Sequence, residues 1–307
     1  MRNSFFDALY EVAKKDSSVV LITADMGFNM LEKFRDNLPK QYVNSGISEA
    51  NATSMAAGMA LCGKKPYVYS ITPFVTYRCF EQVRVDVCYH NANVKMVGSG
   101  GGLDYGQAGS THQPTEDVAV MRALPNMKVV CPCDPYEAIA LPALLSEVQG
   151  PAFVRLGRGK EPKIHERQPK MEVGRGIKTV ECKDAQVCIF ATGSIAYNAV
   201  LAARKLQQEG VKAELYLLPW VKPIDRKLLE EKAQGSKLLV FVEEHTVVGG
   251  MYGAACEILA QEGTRAKIRA ITLPDAFQKD VGDREYMHKL NGIDAQGIAE
   301  KVAQWAR

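Results

Sequence analysis

The feature that most constrains this chain is a regular alternation of short apolar runs with longer helix-patterned segments, interrupted once and then resumed. In the first stretch the apolar runs are residues 19–23, 67–71, 94–97, 128–131 and 152–156. Helical patterns fall between them. Residues 49–62 are rich in Ala and Met and are stopped by Gly63. Residues 77–89 carry Phe80, Val83 and Val87 on one face, and residues 135–148 give a third helix. Ahead of these, Phe5, Ala8, Leu9, Val12 and Ala13 follow the i, i+3, i+4, i+7, i+8 stripe of an amphipathic helix. Over 157–183 the pattern lapses into charge, Pro and Gly, as in Arg158-Gly159-Lys160-Glu161-Pro162-Lys163, which predicts a surface linker. It then resumes, with strands expected at 187–191, 213–218, 238–242 and 268–273 and helices at 196–208, 226–233 and 250–260. The expectation is an α/β protein of two three-layer domains with mainly parallel sheets, residues 1–160 and 183–307, joined by a linker over 161–182.

Composition narrows the function classes. With 47% hydrophobic and 24% charged residues the chain is expected to be a globular protein in water. Its net charge of +3 is spread without a basic run, which argues against nucleic-acid or membrane partners. No apolar stretch nears the ~20 residues of a membrane span, and residues 1–15 lack a signal-peptide apolar core. A cytoplasmic location is expected. The eight cysteines then read as reduced thiols; Cys131 and Cys133 form a C-x-C pair, but no second pair stands at zinc-site spacing.

Polar clusters sit at the predicted strand ends, where open α/β sheets place ligands. They are Ala24-Asp25-Met26-Gly27, Ser45-Gly46-Ile47-Ser48-Glu49-Ala50-Asn51, the loop 98–114 with Thr111-His112-Gln113, and Arg155-Leu156-Gly157-Arg158. On spacing alone Glu49 is equally an acid favoured in a first helical turn by the macrodipole, and His112 a loop histidine bonded to backbone. The run Gly98 to Gly102 lacks both the G-x-G-x-x-G and the G-x-x-x-x-G-K-[ST] patterns, so a nucleotide site has little support.

Taken together, these clusters resemble the second half of a transketolase, its pyrimidine-binding domain followed by its C-terminal domain. The resemblance runs from Arg2 to the stretch Gly292-Ile293-Asp294-Ala295-Gln296-Gly297-Ile298. Its most specific pieces are Gly46-Ile47-Ser48-Glu49-Ala50-Asn51 with Ala56-Ala57-Gly58, and Thr111-His112-Gln113-Pro114-Thr115-Glu116-Asp117. Leu124-Pro125-Asn126-Met127 with Pro132-Cys133-Asp134, and Val242-Glu243-Glu244-His245 with Gly249-Gly250, extend it.

The resemblance implies thiamin diphosphate as cofactor, with Glu49 bonded to N1′ of its aminopyrimidine. A carboxylate there favours the imino tautomer, whose nitrogen can take the thiazolium C2 proton so that C2 attacks a ketose carbonyl. It also implies that Phe74 stacks on the pyrimidine, that Tyr77 lies beside it, and that His112 meets the substrate near its reacting hydroxyls. Arg2, Arg158 and Asn29 match positions of a sugar-phosphate site, where a guanidinium fork suits the anion; Asn29 stands where the family has serine. Asp25 matches a structural or interface position, and Glu244 and His245 belong to a family motif without a chemical role. Two departures concern the substrate. The loop reads Gly106-Gln107-Ala108-Gly109, with Ala108 in place of a family aspartate, and a family histidine has no counterpart among Gly98 to Gly100. A non-standard sugar is expected.

The Mg²⁺ and diphosphate motif of thiamin enzymes, G-D-G followed by an asparagine, is missing; Gly282-Asp283-Arg284 is the nearest form. An N-terminal-half transketolase subunit carrying the Mg²⁺ ligands is therefore expected as partner, in an α2β2 assembly. A 2-oxoacid dehydrogenase beta subunit shares the layout, but the T-H-Q-P-T-E-D and L-P-N-M segments favour transketolase. A non-catalytic partner on this fold would have no need of Glu49, Phe74 and His112.

Overall fold

The computed structural model describes residues 1–307. Its strands in chain order are β1 (Val19–Thr23), β2 (Tyr42–Asn44), β3 (Lys65–Ile71), β4 (Lys95–Ser99), β5 (Lys128–Val130) and β6 (Ala152–Leu156). The rest are β7 (Ile177–Val180), β8 (Val187–Ala191), β9 (Ala213–Leu217), β10 (Trp220–Lys222), β11 (Leu238–Thr246) and β12 (Lys267–Leu273). They form a seven-stranded sheet ordered β10-β5-β6-β4-β3-β1-β2 and a five-stranded sheet ordered β12-β11-β8-β9-β7. All pairings are parallel except β10 with β5 and β7 with β9. Every residue of β1, β4, β6, β8 and β9 is buried. That is what continuous apolar runs produce when helices cover both faces of a parallel sheet.

Three expectations are corrected. The helix expected over 77–89 is broken into Thr72–Thr76, Phe80–Gln82 and a π-helical segment Val83–Tyr89. Side chains compete with the ladder here: Thr76 Oγ1 donates to Thr72 O at 2.6 Å and Cys79 Sγ to Val75 O at 3.1 Å. The break leaves Tyr77, Arg78 and Cys79 between helices, and such irregular turns recur at functional sites.

The stretch expected as a linker holds β7, which closes the edge of the second sheet. Upstream of it the segment is pinned to the first domain. Asp134 Oδ2 accepts from Ile164 N at 2.9 Å and His165 N at 3.0 Å, His165 Nε2 meets Glu137 Oε1 at 2.8 Å, and Met171 is buried in the apolar core. Its polar composition hides this because most of the anchors are hydrogen bonds to Asp134 and Glu137, which leave no apolar periodicity. Finally, Trp220–Lys222, beyond that segment, completes the first sheet as β10 against β5.

One apolar core joins the two sheets. Met96, Val129 and Phe153 of the first belong to the same buried cluster as Phe190, Leu239 and Phe241 of the second. At the C-terminal ends of the strands the seam turns polar around Arg155. Its Nε donates to Asp117 Oδ2 at 2.7 Å, and its Nη2 donates to Pro114 O at 3.1 Å and Glu244 O at 3.0 Å.

Candidate active site

Glu49 opens the helix Glu49–Leu61 just after β2, and its side chain is only 2% exposed. A buried carboxylate needs partners, and each oxygen has one. Ser70 Oγ, near the end of β3, donates to Oε1 at 3.1 Å, and Arg78 Nη1 donates to Oε2 at 2.9 Å. The loop before Glu49 is fixed by Asn44, whose Oδ1 accepts from Asp25 N and Gly46 N at 3.0 Å each. Asn44 Nδ2 donates back to Asp25 Oδ1 at 3.1 Å. Asp25 therefore shapes the loop, in a left-handed conformation with φ of 53°.

From Glu49 a continuous line of stacked groups crosses the strand ends. The Arg78 guanidinium lies 4.1 Å from the Phe74 ring centroid, and Phe74 meets His112 edge to face at 5.2 Å. His112 is 6.1 Å from Tyr105, whose ring lies 4.6 Å below the Arg158 guanidinium. Four residues selected in the sequence, Glu49, Phe74, His112 and Arg158, are thus brought together. Two residues not selected, Arg78 and Tyr105, link them.

His112 is half-buried, with Nδ1 2.9 Å from Thr111 Oγ1. The Tyr105 ring packs directly against Gly100 in the glycine-rich run. A Cβ at Gly100, where φ is +77°, would stand 2.0 Å from its ring. Arg2, half-buried, lies near Tyr69 of β3. Burial pushes the Tyr69 phenol up, and the Ser99 hydroxyl and then the Arg2 guanidinium partly oppose this.

Two selected residues are not brought to this line. The Tyr77 hydroxyl turns into the seam, buried and without a hydrogen-bond partner. Burial, then Asp117 and Glu116, push its phenol far above the ordinary range. Asn29 is exposed on the loop after β1, with φ of 60°, and its N–H caps onto Glu32 Oε1 at 2.7 Å.

The Glu243-Glu244-His245 motif ends β11 and acts structurally. Glu243 accepts from Met251 N at 2.7 Å and Tyr252 N at 2.9 Å, capping the next helix. His245 Nδ1 donates to Thr246 O at 2.8 Å, so Nε2 is free to accept from Ala119 N at 3.3 Å across the seam. Glu244 accepts from Leu103 N at 2.7 Å and Ser194 Oγ at 3.2 Å. His288 Nε2 lies 3.0 Å from Glu244 Oε1, an electrostatic contact without hydrogen-bond alignment.

Burial alone would raise the Glu244 carboxyl, but His288, Arg284 and Arg155 reverse this and hold it near 2. Its neighbour Asp104 behaves oppositely. Burial and Glu244 push it up to about 6, although Arg284 Nη1 donates to it at 2.9 Å. Asp104 Oδ2 also accepts from Arg158 N at 3.0 Å, so this buried cluster pins the loop 98–114 and Arg158 onto the second domain.

Three further acidic groups are accounted for by local structure. Asp283, in the Gly282-Asp283-Arg284 stretch, caps the helix Arg284–Leu290 through Tyr286 N at 2.8 Å. Asp134, Glu137 and His165 lie together, but the oxygens of both acids already accept from backbone N–H groups or from His165. No helix is long and apolar enough to cross a membrane.

Comparison with known proteins accords with this geometry. Residues 1–163 match the transketolase pyrimidine-binding domain, and residues 177–298 the transketolase C-terminal domain. The chain is 32% identical to a subunit of the apulose-4-phosphate transketolase of Phocaeicola vulgatus, over 100% of this chain and 97% of that one. It is 34% identical to a 6-deoxy-6-sulfo-D-fructose transketolase subunit of a Clostridium strain, over 97% and 92%. A solved split-gene transketolase, an inactive β4 tetramer, superposes with a TM-score of 0.88 at 32% identity, covering 99% of this chain and 96% of that one. The chain belongs to the transketolase family, as the pyrimidine-binding domain of that family followed by its C-terminal domain.

Proposed function

We propose that this chain is the cofactor-activating subunit of a two-subunit, thiamin-diphosphate-dependent transketolase that moves a two-carbon ketol unit from a ketose to an aldose. The observation that carries the reading is Glu49, a buried carboxylate beside the Phe74 ring and its His112 neighbour at the strand ends. These residues fit the aminopyrimidine: Phe74 offers a stacking face, and Glu49 an anionic acceptor whose Oε1 is oriented by Ser70. When bound, the cofactor supplies the carbon nucleophile and electron sink. Glu49 holds the proton at N1′. Phe74 and the buried walls of β3 and β4 keep water from the pyrimidine. His112, steadied by Thr111, hydrogen-bonds a hydroxyl of the sugar.

Arg2, Tyr105 and Arg158 form the terminal anion site. Substrate choice differs from that of enzymes with the aspartate and histidine of the standard pattern. Ala108 offers no acceptor, and Asp104, the nearest acid in the loop, is committed to Arg284. A non-standard sugar carrying phosphate or another anion fits this rim, in keeping with the apulose-4-phosphate and sulfofructose relatives.

The Mg²⁺ and diphosphate contacts fall to a partner subunit, since Asp283 is a helix cap here. Exposed apolar residues support a protein neighbour near the site. Phe28 (77%), Ile47 (78%) and Phe277 (73%) are strongly exposed, and Ile47 lies just before Glu49. An α2β2 assembly in the cytoplasm follows from this reading. Assaying ketol transfer by the chain with and without that partner, with thiamin diphosphate and Mg²⁺, tests it. Activity only in the mixture is expected, and pyruvate-dependent acyl transfer in its place would favour a 2-oxoacid dehydrogenase subunit.

A further inference from the structure

Arg78 makes, on its own, the two contacts that the aminopyrimidine is proposed to make. Its guanidinium bonds Glu49 Oε2 at 2.9 Å and lies 4.1 Å from the Phe74 ring centroid. A guanidinium is planar, delocalised and rich in N–H donors, so it imitates a flat aminopyrimidine over an aromatic face and against a carboxylate. Unlike Glu49, Arg78 has a way out: its side chain is 47% exposed, against 2% for Glu49. It also lies in the break between the helices Thr72–Thr76 and Phe80–Gln82, where both Tyr77 N and Arg78 N turn back to Pro73 O. A residue placed there can reorient without breaking a continuous helical ladder.

We propose that Arg78 is a displaceable plug of the pyrimidine site, exchanging with the cofactor on Glu49 and Phe74 and swinging into solvent when the cofactor binds. The proposal rests on the reading of Glu49 and Phe74 given above. The plug keeps the buried carboxylate paired while the pyrimidine is elsewhere, which a lone buried charge requires. It also acts as an intramolecular competitor, lowering the apparent cofactor affinity by the fraction of time the site is closed. Since Glu49 is the group that activates the cofactor, activation is then coupled to expulsion of Arg78.

The test is equilibrium binding of thiamin diphosphate, with Mg²⁺ present, to the chain co-purified with its partner, followed by calorimetry or intrinsic fluorescence. Arg78→Gln should tighten binding on the order of tenfold, the effect expected from removing a site that is closed about nine-tenths of the time. Arg78→Lys, which keeps the charge but cannot stack as a plane, should tighten it less, and it serves as the second variant if the first fails to fold. Weaker or unchanged binding in both variants overturns the plug and leaves Arg78 as a fixed support for Glu49. Turnover of Glu49→Gln in the same assembly separates the two readings. If that variant retains turnover, the assignment of the pyrimidine site itself falls. If it loses turnover while the Arg78 variants bind no more tightly, only the plug falls.

Discussion

At the scale of single residues the proposed chemistry rests on Glu49, a carboxylate buried between two donors. Glu49→Gln keeps the volume and the bond from Ser70 but removes the charge, and should lower ketol-transfer turnover by about 10²–10⁴-fold while the subunits still assemble. Steady-state kinetics on co-purified protein, with assembly checked by size-exclusion chromatography, measures both. His112→Ala should reduce kcat/KM by about 2–10-fold, the worth of a neutral hydrogen bond, and should change cofactor affinity little. An equal loss of cofactor binding would move His112 from substrate to cofactor. That Glu49, Phe74, His112 and Arg158 would lie together was legible, because each lies in or beside a motif at a strand end. Arg78 and Tyr105 were not. An arginine between helical segments and a tyrosine in a Gly-rich loop acquire meaning only from contacts with residues remote in sequence, and Glu49 and Arg78 are 29 positions apart.

At the scale of elements, charged groups buried at the strand ends hold the two sheets in place. Arg155 is 5% exposed and Asp117 0%. Replacing Arg155 by Met strands Asp117 and two carbonyls, which should destabilise the fold by about 3–5 kcal/mol, read as a shift of the denaturation midpoint. Glu244 sets a pH dependence whose sign follows from its carboxyl being held near 2, below its ordinary value. Its contribution is complete above about pH 4.5 and is lost as the pH falls toward 2. Glu244→Gln should therefore lower the melting temperature at neutral pH and flatten its decline below pH 4.5; an unchanged acid decline would assign that limb to other carboxylates. Asp104 works against this trend, because a carboxyl raised to about 6 gives its stabilisation at low pH and loses it as the pH rises through 6. The strand and helix alternation was readable from apolar periodicity, and the helix Glu49–Leu61 begins where the sequence placed it. The broken helix before Tyr89 and the pinned segment 161–176 were not readable. Both depend on polar side chains bonding to backbone, a pattern that hydrophobic periodicity does not register.

At the scale of the whole molecule, two fused α/β domains share one continuous apolar core, and the proposed site sits at their strand ends. Phe28, Ile47 and Phe277 stay largely exposed on this chain, and the proposed partner subunit would meet this apolar surface. Replacing Ile47 by Lys places a charge in that surface beside the Glu49 loop. It should weaken subunit association without lowering the stability of this chain, as sedimentation and thermal melts can separate. The overall architecture was visible in sequence because it repeats a simple pattern. The exposure of Phe28, Ile47 and Phe277 was not visible, since exposure of an apolar residue is a property of the fold.

The most direct measurement is the rate of ketol transfer, with thiamin diphosphate and Mg²⁺, for this chain alone, for the chain with its partner, and for Glu49→Gln with the same partner. Turnover is expected only in the wild-type pair. Full activity from the chain alone, or undiminished activity from the Glu49→Gln pair, would contradict it.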